Sequence, residues 1–307
     1  MSGEIEQKLL KIPVVGILVK LLKKVILPGF KGLSLYDLLE IYISGIIKGT
    51  FSSRASSVAY SFFVALFPFL LFILNLIPYV PIEGFKTRFL IFIEDLLPAQ
   101  TSDLFYPVIV DIAENPRGGL LFFVIMLAIF LAANGVNSIF SAFEYSIHVT
   151  INRNFFKQYF VALAVSLFLA FLLLLTVGVI LYGEYIISSM KDNHFISDDL
   201  FWVHILQITV FVSMIYIAIA SLYYYGTKEG RMSRFFSIGA MVTTFLFLLT
   251  TYFFGVYIDN FSTYNELYGS LGALLIMMLY IWINSNLLLL GFELNVSLRR
   301  LKDKIKH

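Results

Sequence analysis

Residues 268–300 read YGSLGALLIMMLYIWINSNLLLLGFELNVSLRR, which sets amides and a carboxylate into an otherwise apolar run. At 100° per residue on a helix, Asn286 and Glu293 fall within about 20° of each other. Asn284, Gly291 and Asn295 form a second line. A second stretch is sharper: Asn134, Asn137, Ser138, Ser141, Glu144, Tyr145 and His148 share an arc of roughly 120°. Val136, Ile139, Phe140, Phe143 and Ile147 face elsewhere. A third stretch puts Arg54, Ser57, Ser61, Pro68 and Asn75 on one face, with Pro68 deleting a backbone donor inside the helix. Neutral amides, hydroxyls and a few charges can line a hydrated path or hydrogen-bond a polar substrate. They can equally tie helices together, at about 0.6 kcal/mol per contact. On sequence alone both readings stand.

Other chemistry has no residues to carry it. There is no cysteine, so thiolate metal sites, disulfides and thiol nucleophiles are excluded. The four histidines, His148, His194, His204 and His307, do not pair at metal-ligand spacing. No H-E-x-x-H, Walker loop or G-x-S-x-G occurs. The expectation is a protein without catalytic residues, metal or cofactor.

The elements that position the polar residues follow from composition. Of 307 residues, 59% are hydrophobic and 14% charged, against about 45–50% and about 25% in soluble domains. Six stretches, 55–79, 119–140, 159–187, 204–225, 236–258 and 269–292, reach the roughly 20 apolar residues a spanning helix needs. No alternating ten-residue pattern suggests a barrel. The expected fold is an all-α integral membrane protein with six transmembrane helices.

Basic residues set the orientation. Eighteen of the 22 Lys and Arg fall before the first span, in the loops after spans two and four, or in the tail. That places both termini in the cytoplasm. The other side carries Lys86, Arg88, Arg117 and Lys191, and the loops that hold them include nine acidic residues. Span one then rises from the cytoplasm while spans two and six descend to it. Arg54, Glu144 and Glu293 meet at that boundary, and Arg54 is expected to pair with one or both glutamates at the inner end of a polar seam between spans one, two and six.

Residues 1–50 form a basic extension, with a lysine-bearing helix expected to lie on the anionic inner leaflet. Residues 51–300 form the membrane domain and 301–307 a basic tail. The loop between spans one and two is expected to hold two short extracytoplasmic helices fenced by Pro98 and Pro116, the second N-capped by Thr101 or Ser102. Membrane lipids are the implied partners. Topology already accounts for the basic residues, which argues against nucleic acid, and nothing in the pattern assigns an oligomeric state.

Three segments resemble a known family. RASSVAYSFFVALFPFLLFIL is similar to the first-span signature of the YihY/BrkB family of bacterial inner-membrane proteins, with its mid-helix Phe-Pro. YGSLGALLIMMLYIWINSNLLLLGFELN resembles that family's last span, with a Tyr-Gly-Ser-Leu-Gly entrance and a Gly-x-Glu-Leu-Asn exit, and NGVNSIFSAFEYSI its second-span ending. The resemblance implies a six-helix inner-membrane protein of unassigned activity, once labelled a ribonuclease. It marks Pro68, Gly269, Gly272, Gly291, Glu293 and Asn295 as positions to probe. The functional expectation is a transporter or flippase-like permease for an amphipathic or anionic substrate, lipids included. The alternatives are a non-transporting membrane scaffold and a membrane-associated ribonuclease.

Overall fold

The computed structural model describes residues 13–26, 34–36, 50–76, 84–96, 106–107, 110–111, 121–146, 153–192, 199–228, 230–232, 234–260 and 270–306. Among them regular structure is helical: α1 (Pro13–Lys24), α2 (Thr50–Leu76), α3 (Phe85–Leu96), α4 (Leu121–Glu144), α5 (Phe155–Asp192), α6 (Asp199–Gly226), α7 (Ile238–Asn260) and α8 (Ser270–Lys306). Lipid offers backbone groups no partners, so helices that satisfy themselves are the natural solution. Among the described residues five helices are long and apolar enough to cross a membrane: Ile125–Glu144, Phe155–Lys191, Leu200–Gly226, Ile238–Tyr257 and Leu274–Arg299. The first expected span is present as the 27-residue α2, which runs unbroken through Pro68, but it is not among those five.

The six long helices pack as a ring. α2 lies against α4, α4 against α5, α5 against α6, α6 against α7, α7 against α8, and α8 returns to α2. Each of these neighbours in the ring follows the other in the chain, α4 following α2 by way of α3, whereas the α8–α2 contact closes the circle. One apolar cluster, built on Phe140, Phe143, Tyr223, Leu289 and Phe292, fills one end of the ring. A second, built on Phe85, Phe89, Ala128, Val177 and Met277, fills the other. The outer surface is apolar too: Phe171 is 61% and Phe245 63% exposed, which suits acyl chains rather than water.

Small residues set how closely helices approach. A Cβ on Gly135 of α4 would stand 2.9 Å from the Ala65 Cβ of α2. α5, with 38 residues, extends about 57 Å, well beyond a hydrocarbon core of about 30 Å. It starts earlier than its expected span, at Phe155.

Outside the ring, α3 buries Phe85, Phe89 and Leu90 and enters after Gly84, whose φ of 76° only glycine adopts cheaply. This is the first of the two expected loop helices. Tyr106, Pro107, Val110 and Asp111 are helical within the second, while Thr101 and Ser102 lie outside the described residues. α1 realises a helix in the basic extension, with Lys23 at 5.1 Å from the Tyr36 ring centroid; most of residues 1–50 lies outside the described set. The tail through Lys306 continues α8.

Gly135→Val should lower unfolding free energy in mixed micelles by about 1–3 kcal/mol through overpacking against Ala65. Gly255→Ala, where a Cβ meets nothing within 4 Å, should be neutral or stabilising. Equal effects at both sites would remove Gly135 as a packing determinant.

Candidate functional site

At the end of the ring where α2 and α7 begin and α4, α6 and α8 finish, charges meet. Arg54 Nη2 lies 3.2 Å from Glu293 Oε1, with side chains only 14% and 13% exposed. Arg54 Nη1 donates to the Ala142 carbonyl at 3.0 Å. Ser146 Oγ donates to Glu293 Oε2 at 2.7 Å, so both carboxylate oxygens are satisfied. The guanidinium stands over the Phe51 ring at 5.4 Å. The expected pairing of Arg54 with Glu293 is therefore present.

Glu144 takes a different role. Its Oε1 accepts the Arg153 backbone N–H at 3.1 Å, tying the end of α4 to the approach to α5. With its amide oriented to suit its neighbours, buried Gln158 donates to Glu144 Oε2 at 2.9 Å and accepts from Ser141 Oγ at 3.0 Å; the Asn137 amide lies 3.2 Å away. Gln158 and Ser146 are members of these networks that the sequence reading missed. Their only signal was polarity beside a span boundary.

The polar arc of α4 does not face the interior, which corrects the expected seam. The buried face of α4 is Ala132, Val136, Ile139, Phe140 and Phe143. At 100° per residue, Asn134 lies opposite the middle of that face, and it is exposed, as is Ser57 on α2. Ser61, Asn137, Ser138, Ser141 and Glu144 are half-buried on the flanks. Ser138 Oγ reaches the Ser57 carbonyl at 3.4 Å. Gly135 against Ala65 fixes the rotation of α4, and bulky apolar residues claim the core, leaving the polar arc outside.

The two polar lines of α8 separate as their spacing implies. Glu293 turns to α2 and α4. Asn295 turns to α7, where Oδ1 accepts the Gly239 N–H at 2.9 Å and Nδ2 donates to Ser237 Oγ at 2.7 Å, capping α7. A Cβ on Gly291 would collide with Thr243 Oγ1 and stand 2.5 Å from the Tyr223 hydroxyl. That hydroxyl donates to the Leu288 carbonyl at 2.7 Å and lies 2.7 Å from Thr243 Oγ1. Asn286 donates back to the Trp282 carbonyl at 2.7 Å. These residues are packing and hydrogen-bonding devices. The side chain of Pro68 lies outside the described set.

Asn284 differs. Its Nδ2 donates to the Tyr280 carbonyl at 2.9 Å, but its buried Oδ1 has no partner. It lines a partly open cavity of about 390 Å³ in the ring, whose walls come from all six long helices: Val58 and Phe62, Ile139, Leu169 and Leu172, Met214 and Ala218, Phe247, Ser285 and Leu288. The lining is almost wholly apolar. Toward the charged end it is stopped by Phe143 stacked on Phe292 at 4.1 Å, with Tyr223 edge-on to both. Glu293 follows Leu288 by five residues, about 7.5 Å along the axis. The site is thus an oily chamber behind an aromatic plug and an ion pair. Among the described residues no three His, Asp or Glu gather as a metal site would require.

Comparison with known proteins agrees with a membrane fold. The family profile described as Virulence factor BrkB matches residues 43–307. The chain is 28% identical over 253 residues to the ribonuclease-like protein YfkH of Bacillus subtilis, covering 81% of this chain and 90% of the relative. It is 25% identical to a UPF0761 membrane protein of Psychrobacter, covering 91% of this chain and 51% of the relative. A UPF0761 membrane protein of Coxiella burnetii is 26% identical, over 78% of this chain and 84% of the relative. No solved structure matches.

Glu293→Ala should cost about 3 kcal/mol, because Arg54 stays buried and charged. A cycle with Arg54→Met should show coupling of about 1–3 kcal/mol; additive effects would mean that the two act independently. Gly291→Ala should lower stability by about 1–3 kcal/mol, relieved in part by Thr243→Ala, which removes the colliding hydroxyl. No relief would place the strain elsewhere.

Proposed function

The chain belongs to the BrkB virulence-factor family, and from that premise and the central chamber we propose that it is a permease that moves an amphipathic substrate with an acyl portion across the membrane. With α2 as a sixth crossing, both termini lie on the basic, cytoplasmic side of a bacterial inner membrane.

One observation carries this reading: a cavity walled by every long helix, apolar except for Tyr280, Asn284 and Ser285. Helices that associate in lipid do so by close packing, so an unfilled centre forfeits contacts that larger side chains would supply. The unpartnered Asn284 oxygen costs further free energy, which a substrate donor would recover. The apolar lining suits acyl chains better than ions. Arg54–Glu293 and the Phe143–Phe292 stack close the chamber toward the cytoplasm, so a transport cycle must part them.

A scaffold is the second reading. Asn295, Gly291 and Glu293 are all accounted for by contacts within the chain, as glue would be. The name of the Bacillus relative suggests a ribonuclease, but no arrangement of the described residues favours that chemistry here.

In proteoliposomes, the wild-type protein should move fluorescent phospholipids between leaflets faster than empty vesicles do. Ala218→Phe, which fills the chamber wall, should slow this at least tenfold while leaving thermal unfolding near wild type. No movement above empty vesicles across a panel of lipids and fatty acids, or an undiminished rate in Ala218→Phe, would contradict the proposal.

A further inference from the structure

A second cavity, separate from the central chamber, opens at the basic end between the start of α5 and the α6–α7 connection. Its volume is about 490 Å³, and it is lined by Arg153, Phe156, Lys157, Phe160, Val161, Lys228 and Arg231. Four cations from two segments converge there. Two are held by one residue: Arg153 Nη1 donates to the Tyr225 carbonyl at 2.6 Å, and the Arg231 guanidinium lies 5.8 Å from the Tyr225 ring centroid. Lys157 and Lys228 are exposed beside the opening. The carboxylate at hand, Glu144, is engaged by the Arg153 backbone at 3.1 Å, and Glu229 adjoins Lys228 in the sequence. The lining remains strongly basic.

The cations sit beside exposed aromatics. Phe155, Phe156 and Phe160 are 67%, 79% and 71% exposed, on the first turns of a helix that then runs into the membrane. A soluble anion needs the arginines and lysines but has no use for three bare phenylalanines. A lipid uses both: its phosphate meets the cations, and its upper acyl segments lie against the rings at the level where the helix enters hydrocarbon. We infer that this pocket binds the phosphate headgroup of an anionic phospholipid from the leaflet on the basic side. Guanidinium groups pair with phosphate oxygens through charge-assisted hydrogen bonds, and basic pockets between membrane helices are suited to this chemistry. The site stands whether or not the central chamber transports anything.

The test uses the full chain in nanodiscs and micelles, with lipid retention read by native mass spectrometry. Wild-type protein should retain phosphatidylglycerol in preference to phosphatidylcholine. Lys157→Ala combined with Lys228→Ala should weaken phosphatidylglycerol binding about 25-fold at low salt, about fivefold per lysine. Lys86→Ala combined with Lys191→Ala removes the same charge at the opposite end and should change nothing. Phe156→Ala combined with Phe160→Ala should lower phosphatidylglycerol retention although every cation remains. Equal retention of the two lipids, or equal losses from the two lysine pairs, would overturn the site. Inorganic phosphate saturating it at millimolar concentration, with the phenylalanine variant unchanged, would assign it to a soluble anion and overturn the lipid.

Discussion

An arginine and a glutamate 239 residues apart join α2 to α8. Every other contact around the ring is between helices linked by a connection, so the chain itself keeps those partners close. Closure between α2 and α8 has no such help, and lipid supplies little hydrophobic drive to bring helices together. The contact instead uses polar groups that have few alternatives in a bilayer: Arg54 with Glu293, and Trp282 Nε1 donating to Ser56 Oγ at 3.1 Å. Removing one ion of the pair strands the other away from water. The position of α8 in the ring, and with it the chamber that α8 helps to enclose, depends on that pairing.

Polarity is arranged differently from a water-filled channel. Large apolar residues and close glycine contacts occupy the interior, and the amides of α4 are pushed to its outer side between α2 and α5. What the interior keeps is an unfilled, oily space onto which the unsatisfied amide oxygen of Asn284 opens. At the basic end the chain gathers charges of both signs: an internal pair that seals the bundle, and a surface pocket of cations flanked by phenylalanines. Both suit a protein whose surroundings and candidate substrate are amphipathic.

Much of this was legible in the sequence. Long apolar runs gave the helices. The basic bias put Arg54, Glu144 and Glu293 at one end, and opposite charges in a membrane protein have reason to meet. Helical spacing separated Asn286 and Glu293 from Gly291 and Asn295, and the structure turns those lines to different neighbours. The direction of the α4 arc was not legible, because periodicity shows that residues share a face but not which side that face takes. That side was decided by Gly135 against Ala65 and by the bulk of Phe140 and Phe143. The chamber was invisible for a related reason: a cavity is a property of six helices packed together, and its apolar lining looks like any other lipid-compatible sequence. The Gln158 network needed α4 and α5 to pack with these residues face to face, and the Arg153–Lys228 pocket needed the meeting of segments dozens of residues apart.

The chain contains no cysteine, so a single introduced thiol reports on its own surroundings. Ser285 is 5% exposed and lines the chamber, whereas Ser221 is 0% exposed and packed, its hydroxyl donating to the Ala218 carbonyl at 2.7 Å. In the membrane-embedded protein at alkaline pH, membrane-permeant N-ethylmaleimide should modify Ser285→Cys faster than Ser221→Cys, and a long-chain fatty acid should slow the former. Equal rates at the two positions, or a Ser285→Cys rate that the fatty acid leaves unchanged, would contradict a central chamber made for an acyl chain.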